Sequence, residues 1–233
     1  MPDRQETAGL FRSWFITLEG IDGAGKTTQA ERLEGYLRDR GYRVLLTQEP
    51  GGTRLGEILR QVLLDRQLQG MEPAAELFLY SAARAEHVAK VIRPALQPGW
   101  VVICDRYTDS TLAYQGYGRG LDLSLLAAVN RMATGGLEPD LTLLLDLPVA
   151  EAGRRLAQAG RPADRLEGEG AGFMEKVRAG YLALARQNPE RMVVVAATGS
   201  PEEVFCRLSR QVESLLLGGG AGAAGGPVRA NRG

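Results

Sequence analysis

The stretch Trp14-Phe15-Ile16-Thr17-Leu18-Glu19-Gly20-Ile21-Asp22-Gly23-Ala24-Gly25-Lys26-Thr27-Thr28 decides the fold. Its first six residues are almost continuously apolar, the pattern of a strand buried on both faces of a parallel sheet. Residues 20–28 then match G-x-x-x-x-G-K-[ST] in full. Glycines let the backbone curl until its N–H groups converge on an anion, and the helix that follows adds its positive N-terminal end. Gly20, Ile21, Asp22, Gly23, Ala24, Gly25, Lys26, Thr27 and Thr28 are therefore expected to bind a nucleoside triphosphate. In that arrangement Lys26 reaches the β- and γ-phosphates, and the Thr27 hydroxyl binds Mg²⁺.

Outward from this loop, apolar runs of strand length recur at 42–47, 100–105, 141–147 and 191–197. Between the first two strands, Ala30, Leu33 and Leu37 have helical spacing, and Gly41 follows as a stop signal. The interval 53–98 is expected to hold two helices, with Pro73 near the start of the second and Pro94 close to its end. Five strands with helical crossovers predict a doubly wound α/β domain, a parallel sheet with helices on both faces. The domain is expected to span 14–217. Residues 1–13 form an N-terminal extension, and 218–233, rich in Gly and Ala, lack any means of burying a face. Residues 160–172, GRPADRLEGEGAG, are polar and glycine-rich and read as a mobile lid joining two helices.

Composition removes several classes of function. Among 233 residues, 28 Lys and Arg balance 28 Asp and Glu, so no basic excess exists to coat a nucleic acid or an anionic membrane. His87 is the only histidine, which excludes a multi-histidine metal site, and Cys104 with Cys206 gives no zinc spacing. No nucleophile elbow accompanies His87, which reads as a structural helix residue. Two distant cysteines and no apolar run near the ~18 residues of a membrane span point to the cytoplasm.

A phosphate loop is shared by kinases, switch GTPases and motor ATPases. A guanine-reading Asn-Lys-x-Asp is excluded because none of the three lysines, Lys26, Lys90 and Lys176, follows an asparagine. The third strand ends Asp105-Arg106-Tyr107, placing a candidate Mg²⁺ ligand beside an arginine able to bridge two phosphates. Asp146, at the end of Leu143-Leu144-Leu145-Asp146, is a lesser rival for the metal. Glu49-Pro50-Gly51-Gly52-Thr53 closes the second strand with a tight turn aimed at the same sheet edge. In the helix from Glu76 to His87, Tyr80 and Arg84 share a face and could stack on and hydrogen-bond a flat base. Alone, that pair reads more readily as a core tyrosine beside a surface arginine. The stretch 107–116 is too rich in polar and aromatic residues for an ordinary core helix.

Together these motifs resemble the thymidylate kinase family of the bacterial type, from about Phe15 to about Leu216. The phosphate loop with Asp22, EPGGT at 49–53, AAR at 82–84, DRY at 105–107, AYQG at 113–116, PDLTLLLD at 139–146 and DRLE at 164–167 carry the likeness. The resemblance implies a P-loop kinase fold, transfer of the ATP γ-phosphoryl group to dTMP with Mg²⁺, and a homodimer. It implies that Asp22 meets the sugar 3′-hydroxyl and that Arg106 orients the acceptor phosphate. Arg84, with Thr111, would read the thymine, and Tyr114 would lie under the deoxyribose. Glu49, Pro50, Tyr80 and Gln115 complete the implied dTMP site, and Asp105 joins Thr27 at the metal. Two positions depart from the pattern. Tyr80 stands where a phenylalanine usually stacks on the base, and Gln48 where many relatives carry a phosphate-directed arginine, which shifts more of that clamp onto Arg106.

The absence of a catalytic histidine suits this chemistry. A nucleoside monophosphate attacks through an oxygen already ionised at neutral pH, so catalysis reduces to alignment and charge stabilisation. The phosphate loop itself contains no arginine, and the lid residues Arg161 and Arg165 are expected to supply the catalytic positive charge. Arg154 or Arg155 is a candidate to stack on adenine. The alternatives are another nucleotide or deoxynucleoside kinase, with Glu49 or Asp105 as base, and a non-catalytic ATP-binding module.

Overall fold

The computed structural model describes residues 12–160 and 164–218. The apolar runs become strands β1 (Trp14–Glu19), β2 (Val44–Gln48), β3 (Val101–Asp105), β4 (Leu141–Asp146) and β5 (Met192–Ala196). They pair in parallel in the order β2-β3-β1-β4-β5. The chain leaves β1 toward one side of the sheet and later returns to its other side. The crevice at such a switch point, beyond the carboxyl ends of the strands, is where ligands bind in open α/β sheets. Register brings the working ends level, since Leu18 and Gln48 both pair with Asp105.

Around the sheet lie α1 (Lys26–Arg38), α2 (Arg54–Leu64), α3 (Pro73–His87), α4 (Arg93–Leu96), α5 (Thr108–Thr111), α6 (Leu123–Thr134), α7 (Val149–Gln158), α8 (Ala171–Gln187) and α9 (Pro201–Gly218). The 53–98 interval is richer than two helices. A 3₁₀ turn at Arg66–Leu68 follows α2, and α3 runs through a π-helical turn, Val88–Ile92, into α4. Pro94 falls directly after the π-helical turn, where the widened backbone ladder can accommodate a residue without an N–H.

Alternation along the strands divides the core. Ile16, Leu18 and Ile103 cluster with Ala30, Leu33 and Leu37 of α1. Phe15, Val102 and Cys104 cluster instead with Val88, Ile92 and Tyr107. Among the described residues, no helix is long and apolar enough to cross a membrane. The expectations for residues 1–11, for 161–163 of the lid and for the tail from 219 lie outside the described residues.

Candidate active site

The phosphate loop threads between β4 and α7, and two of its glycines are fixed by that passage. A Cβ on Gly20 would sit 2.5 Å from the Leu145 carbonyl oxygen, and one on Gly23 2.7 Å from that of Ala152. Inside the curl, Lys26 Nζ donates to the Ile21 carbonyl at 3.0 Å and lies 3.9 Å from Asp22 Oδ1. Burial, followed by the nearby Arg106 charge, pushes the Lys26 pKa down. An incoming polyphosphate would relieve both effects.

Thr27 Oγ1 donates to Asp105 Oδ2 at 2.7 Å. The other oxygen, Asp105 Oδ1, is buried without a hydrogen-bond partner among the described residues. An orphaned carboxylate oxygen beside a hydroxyl is a donor set suited to a hard divalent cation. Asp146 is otherwise engaged, gripped by Arg178 through Nε at 2.7 Å and Nη2 at 3.0 Å. Of the two candidate carboxylates, Asp105 is the one that keeps a buried oxygen without a partner among the described residues.

Arg106 has a φ of 72°, the only positive φ of a non-glycine residue among those described. A side chain in this left-handed region costs about 1–3 kcal/mol and persists only when its surroundings enforce it. Here Arg106 N donates to the Leu18 carbonyl at 2.9 Å, and the next amide, Tyr107 N, donates to Glu19 Oε1 at 2.7 Å. The guanidinium is equally constrained. Nη1 donates to Gly20 O (2.9 Å), Ser110 Oγ (3.2 Å) and Tyr181 Oη (3.2 Å), while Nη2 reaches Asp22 Oδ1 at 2.5 Å. Tyr114 Oη donates to Asp22 Oδ2 at 3.0 Å. Burial alone would raise the Asp22 pKa, but the Arg106 and Lys26 charges with these hydrogen bonds outweigh it and hold it down to about 2.

Glu19 stands behind this assembly, fully buried, and also accepts from Ser110 Oγ at 2.6 Å and Tyr181 Oη at 2.9 Å. Burial and the Asp109 charge push its pKa up to about 7 against the opposing hydrogen bonds and Arg106. Reading the sequence missed Glu19, Ser110 and Tyr181. One signal was available, a charged residue closing an otherwise apolar strand beside the phosphate loop.

Every acceptor-side residue named from the sequence lines a single cavity: Asp22, Glu49, Pro50, Tyr80, Arg84, Arg106, Thr111, Tyr114 and Gln115. Arg84 is no surface arginine; it is 2% exposed. Its Nε donates to Glu49 Oε2 (2.7 Å), Nη1 to Thr111 Oγ1 (2.8 Å) and Asn130 Oδ1 (2.7 Å), and Nη2 to Tyr107 O (3.0 Å). Tyr80 packs against the core and lines the cavity, and burial raises its hydroxyl pKa. Tyr114 and Gln115 lie in a π-helical segment, Leu112–Gly118, that continues α5. Such widened turns are frequent at functional sites.

A second cavity is lined by Asp22, Gly23, Gly25, Lys26, Thr27, Thr28, Gln48, Asp105 and Arg155, among others. The two share the wall formed by Asp22, Glu49, Arg60, Leu64, Arg106 and Asp164. Arg60, which the sequence reading overlooked, donates through Nη1 to the Pro50 carbonyl at 2.9 Å. It adds a cation to the shared wall that Gln48 cannot supply. Arg155 lines the second cavity, donating to Ala197 O at 3.0 Å, whereas Arg154 is 71% exposed.

The lid arginines separate. Arg161 lies outside the described residues. Arg165 is not brought to the phosphate loop and lines neither cavity. It is 1% exposed, donates through Nε to the Leu63 carbonyl at 2.7 Å, and holds Nη1 2.6 Å from Glu76 Oε2 in an ion pair whose N–H bonds point off line. Glu76 is itself fully buried and also receives Gln115 Nε2 at 2.7 Å and Arg119 Nη2 at 3.2 Å. In this structure Arg165 compensates the charge of the buried Glu76 instead of facing the phosphate loop. Glu76, Tyr80 and Arg84 fall at successive four-residue steps on α3, a pattern in which Glu76 was legible.

Comparison with known proteins gives a consistent result. Residues 18–207 match the family model described as thymidylate kinase. A thymidylate kinase of Desulfovibrio desulfuricans is 52% identical over 214 residues, covering 89% of this chain and 99% of that protein. One from a Synechococcus strain is 56% identical over 202 residues, covering 87% and 95%. The crystal structure of thymidylate kinase from Ehrlichia chaffeensis superposes with a TM-score of 0.70 at 37% identity, over 86% of this chain and 98% of that one.

Proposed function

Because the chain belongs to the thymidylate kinase family, we propose that its two adjoining cavities hold dTMP and ATP and meet at the transferring phosphoryl group. The reaction is phosphoryl transfer from ATP to dTMP, giving dTDP and ADP. The single observation that carries the division of labour is the shared wall: Arg106, Arg60 and Asp22 face both cavities.

In the acceptor cavity, Arg84 and Thr111 meet the thymine carbonyl edge, and Tyr80 lies against the ring. Asp22, ionised through Arg106 and Lys26, accepts the 3′-hydroxyl, while Tyr114 occupies the sugar floor. Arg106 and Arg60 orient the acceptor phosphate, whose ionised oxygen attacks in line without a general base. In the donor cavity the loop amides and Lys26 bind the β- and γ-phosphates, and Arg155 borders the adenine. Thr27 and Asp105 would hold Mg²⁺, which supplies charge neutralisation on the phosphates when bound. The catalytic positive charge from the lid is assigned to Arg161.

The domain spans 14–217 with its lid at 160–172, acts in the cytoplasm, and pairs as a homodimer. Exposed Ile58 on α2, Phe78 on α3 and Leu125 and Met132 on α6 support the pairing, since these helices lie side by side. The test is a competition panel in which protein with Mg²⁺ and ATP is offered dTMP, dUMP, dCMP, AMP, GMP and thymidine at equal concentration. Preference for dTMP is expected, and preference for any other acceptor would overturn the assignment.

A further inference from the structure

His87, the single histidine, closes α3 and is completely buried. Its Nδ1 lies 3.0 Å from Glu49 Oε1, and its Nε2 lies 2.7 Å from Thr47 Oγ1. A carboxylate can only accept, so Nδ1 carries the proton, and in the neutral ring Nε2 accepts from the Thr47 hydroxyl. The 49–53 turn closes directly over the imidazole. Gly52 has a φ of 71°, and a Cβ there would sit 2.5 Å from His87 Nε2 and 2.8 Å from Thr47 Oγ1. His87 therefore fixes both the backbone of this turn and the side chain of Glu49.

Glu49 in turn fixes Arg84. Four of the five guanidinium N–H bonds are used, on Glu49, Thr111, Asn130 and the Tyr107 carbonyl, which leaves one on Nη2. Arg84 and Glu49 both line the acceptor cavity. A pyrimidine carrying a carbonyl at position 4 can accept that remaining N–H, whereas one carrying an amine there opposes donor to donor. The cavity wall does contain an acceptor that an amine could use, the Glu49 carboxylate, but His87 and Arg84 each bind one of its oxygens and hold the group turned toward themselves.

We propose that His87 is a specificity-determining positioning residue that, by holding the Glu49 carboxylate turned toward itself and Arg84, keeps that acceptor from the base and leaves Arg84 to select a carbonyl over an amine. The proposal rests on the reading of Arg84 as the base-contacting residue. Leaving a polar group without its partner is the strong form of discrimination in such sites, whereas shape alone discriminates weakly.

The experiment compares His87→Gln, His87→Asn and Arg84→Lys with the unaltered full-length, untagged protein. It reads kcat and KM for dTMP and dCMP at saturating Mg²⁺ and ATP, together with Tm. Asparagine can present an amide N–H near the place of Nδ1, while glutamine reaches toward that of Nε2. His87→Gln is expected to lower the dTMP-to-dCMP preference about tenfold, chiefly by reducing the KM for dCMP, with His87→Asn restoring most of it. If both His87 variants lower Tm and leave the preference unchanged, while Arg84→Lys reduces it, His87 is merely structural and the proposal falls. If Arg84→Lys also leaves the preference unchanged, the base-reading role of Arg84 has failed and takes the proposal with it. A measurement independent of variant folding uses ¹⁵N-histidine, since only one imidazole will report. The proposal requires a proton on Nδ1, and a ring protonated at Nε2 alone would overturn it.

Discussion

The acceptor cavity and the phosphate loop adjoin across Arg106, yet they treat charge in opposite ways. On the acceptor side, charges are paired before any ligand arrives. Arg84 is held by Glu49 and three neutral acceptors, with one N–H left over, Glu76 by Arg119, Arg165 and Gln115, and Asp22 by Arg106 and Tyr114. On the donor side, Lys26 donates to a carbonyl and approaches Asp22 only at 3.9 Å, and Asp105 keeps a buried oxygen without a partner among the described residues. The difference teaches where each half gets its order. The acceptor side is held by the protein, because discriminating among similar bases requires fixed donors and acceptors. On the proposed function, the donor side is left for the charges of the triphosphate and its cation to complete.

The largest expected effect lies on the incomplete side. Lys26→Ala should reduce kcat by roughly 10²–10³, the scale of losing one preorganised charge at a transition state, with dTMP binding nearly unchanged. Equilibrium binding beside steady-state kinetics checks this, and equal losses in both would erase the distinction between the halves.

Next comes the separation of the lid arginines. Arg165→Ala should cost about 3 kcal/mol of stability, because it strips a partner from the buried Glu76, while the turnover of the folded fraction is preserved. Arg161→Ala should lower kcat about 100-fold with little change in Tm. Urea unfolding and kinetics on both variants distinguish the roles, and a reversed pattern would return Arg165 to the phosphate.

These contrasts explain what the sequence could tell. Strand positions were legible because five apolar runs needed a buried parallel sheet, and β1 through α1 appear where the phosphate-loop motif demanded. The membership of the acceptor cavity was also legible through the family resemblance, since EPGGT and DRY close β2 and β3 at one sheet edge, while Arg84 of α3 and Tyr114 and Gln115 of the π-helical segment line the same cavity. The interior partners were not. Glu19, Ser110 and Tyr181 come from three separate elements and meet only through tertiary packing. Arg60 is one arginine among 25, and nothing in its spacing marks it. Arg165 was expected to bring charge to the phosphates from the lid, and its burial against Leu63 and Glu76 could not be read from a polar, glycine-rich segment. Its burial depends on Glu76, nearly ninety residues earlier in the chain.

The smallest effect concerns two carboxylates three residues apart. Glu19 is raised from its usual 4.5 to about 7, so the folded state binds its proton more tightly than the unfolded chain does. Its contribution to stability is therefore fully present below 4.5 and is lost as pH rises toward 7. Asp22, lowered from 3.8 to about 2, contributes in the opposite sense, above 3.8, and loses that contribution as pH falls through 2. Unfolding free energies of the unaltered protein and Glu19→Gln should thus diverge between pH 5 and 7, with the unaltered protein losing ground, and run parallel above 7. A difference independent of pH would show that Glu19 does not titrate in this range.

The contrast between a completed acceptor side and an incomplete donor side is tested most directly by calorimetric titration of dTMP and dCMP into the protein without ATP or Mg²⁺. The account predicts that dTMP binds and is preferred over dCMP by at least about tenfold, because Glu49, Arg84 and Thr111 are already in place. Binding of dTMP only after ATP and Mg²⁺ are added, or equal binding of both nucleotides, would contradict it.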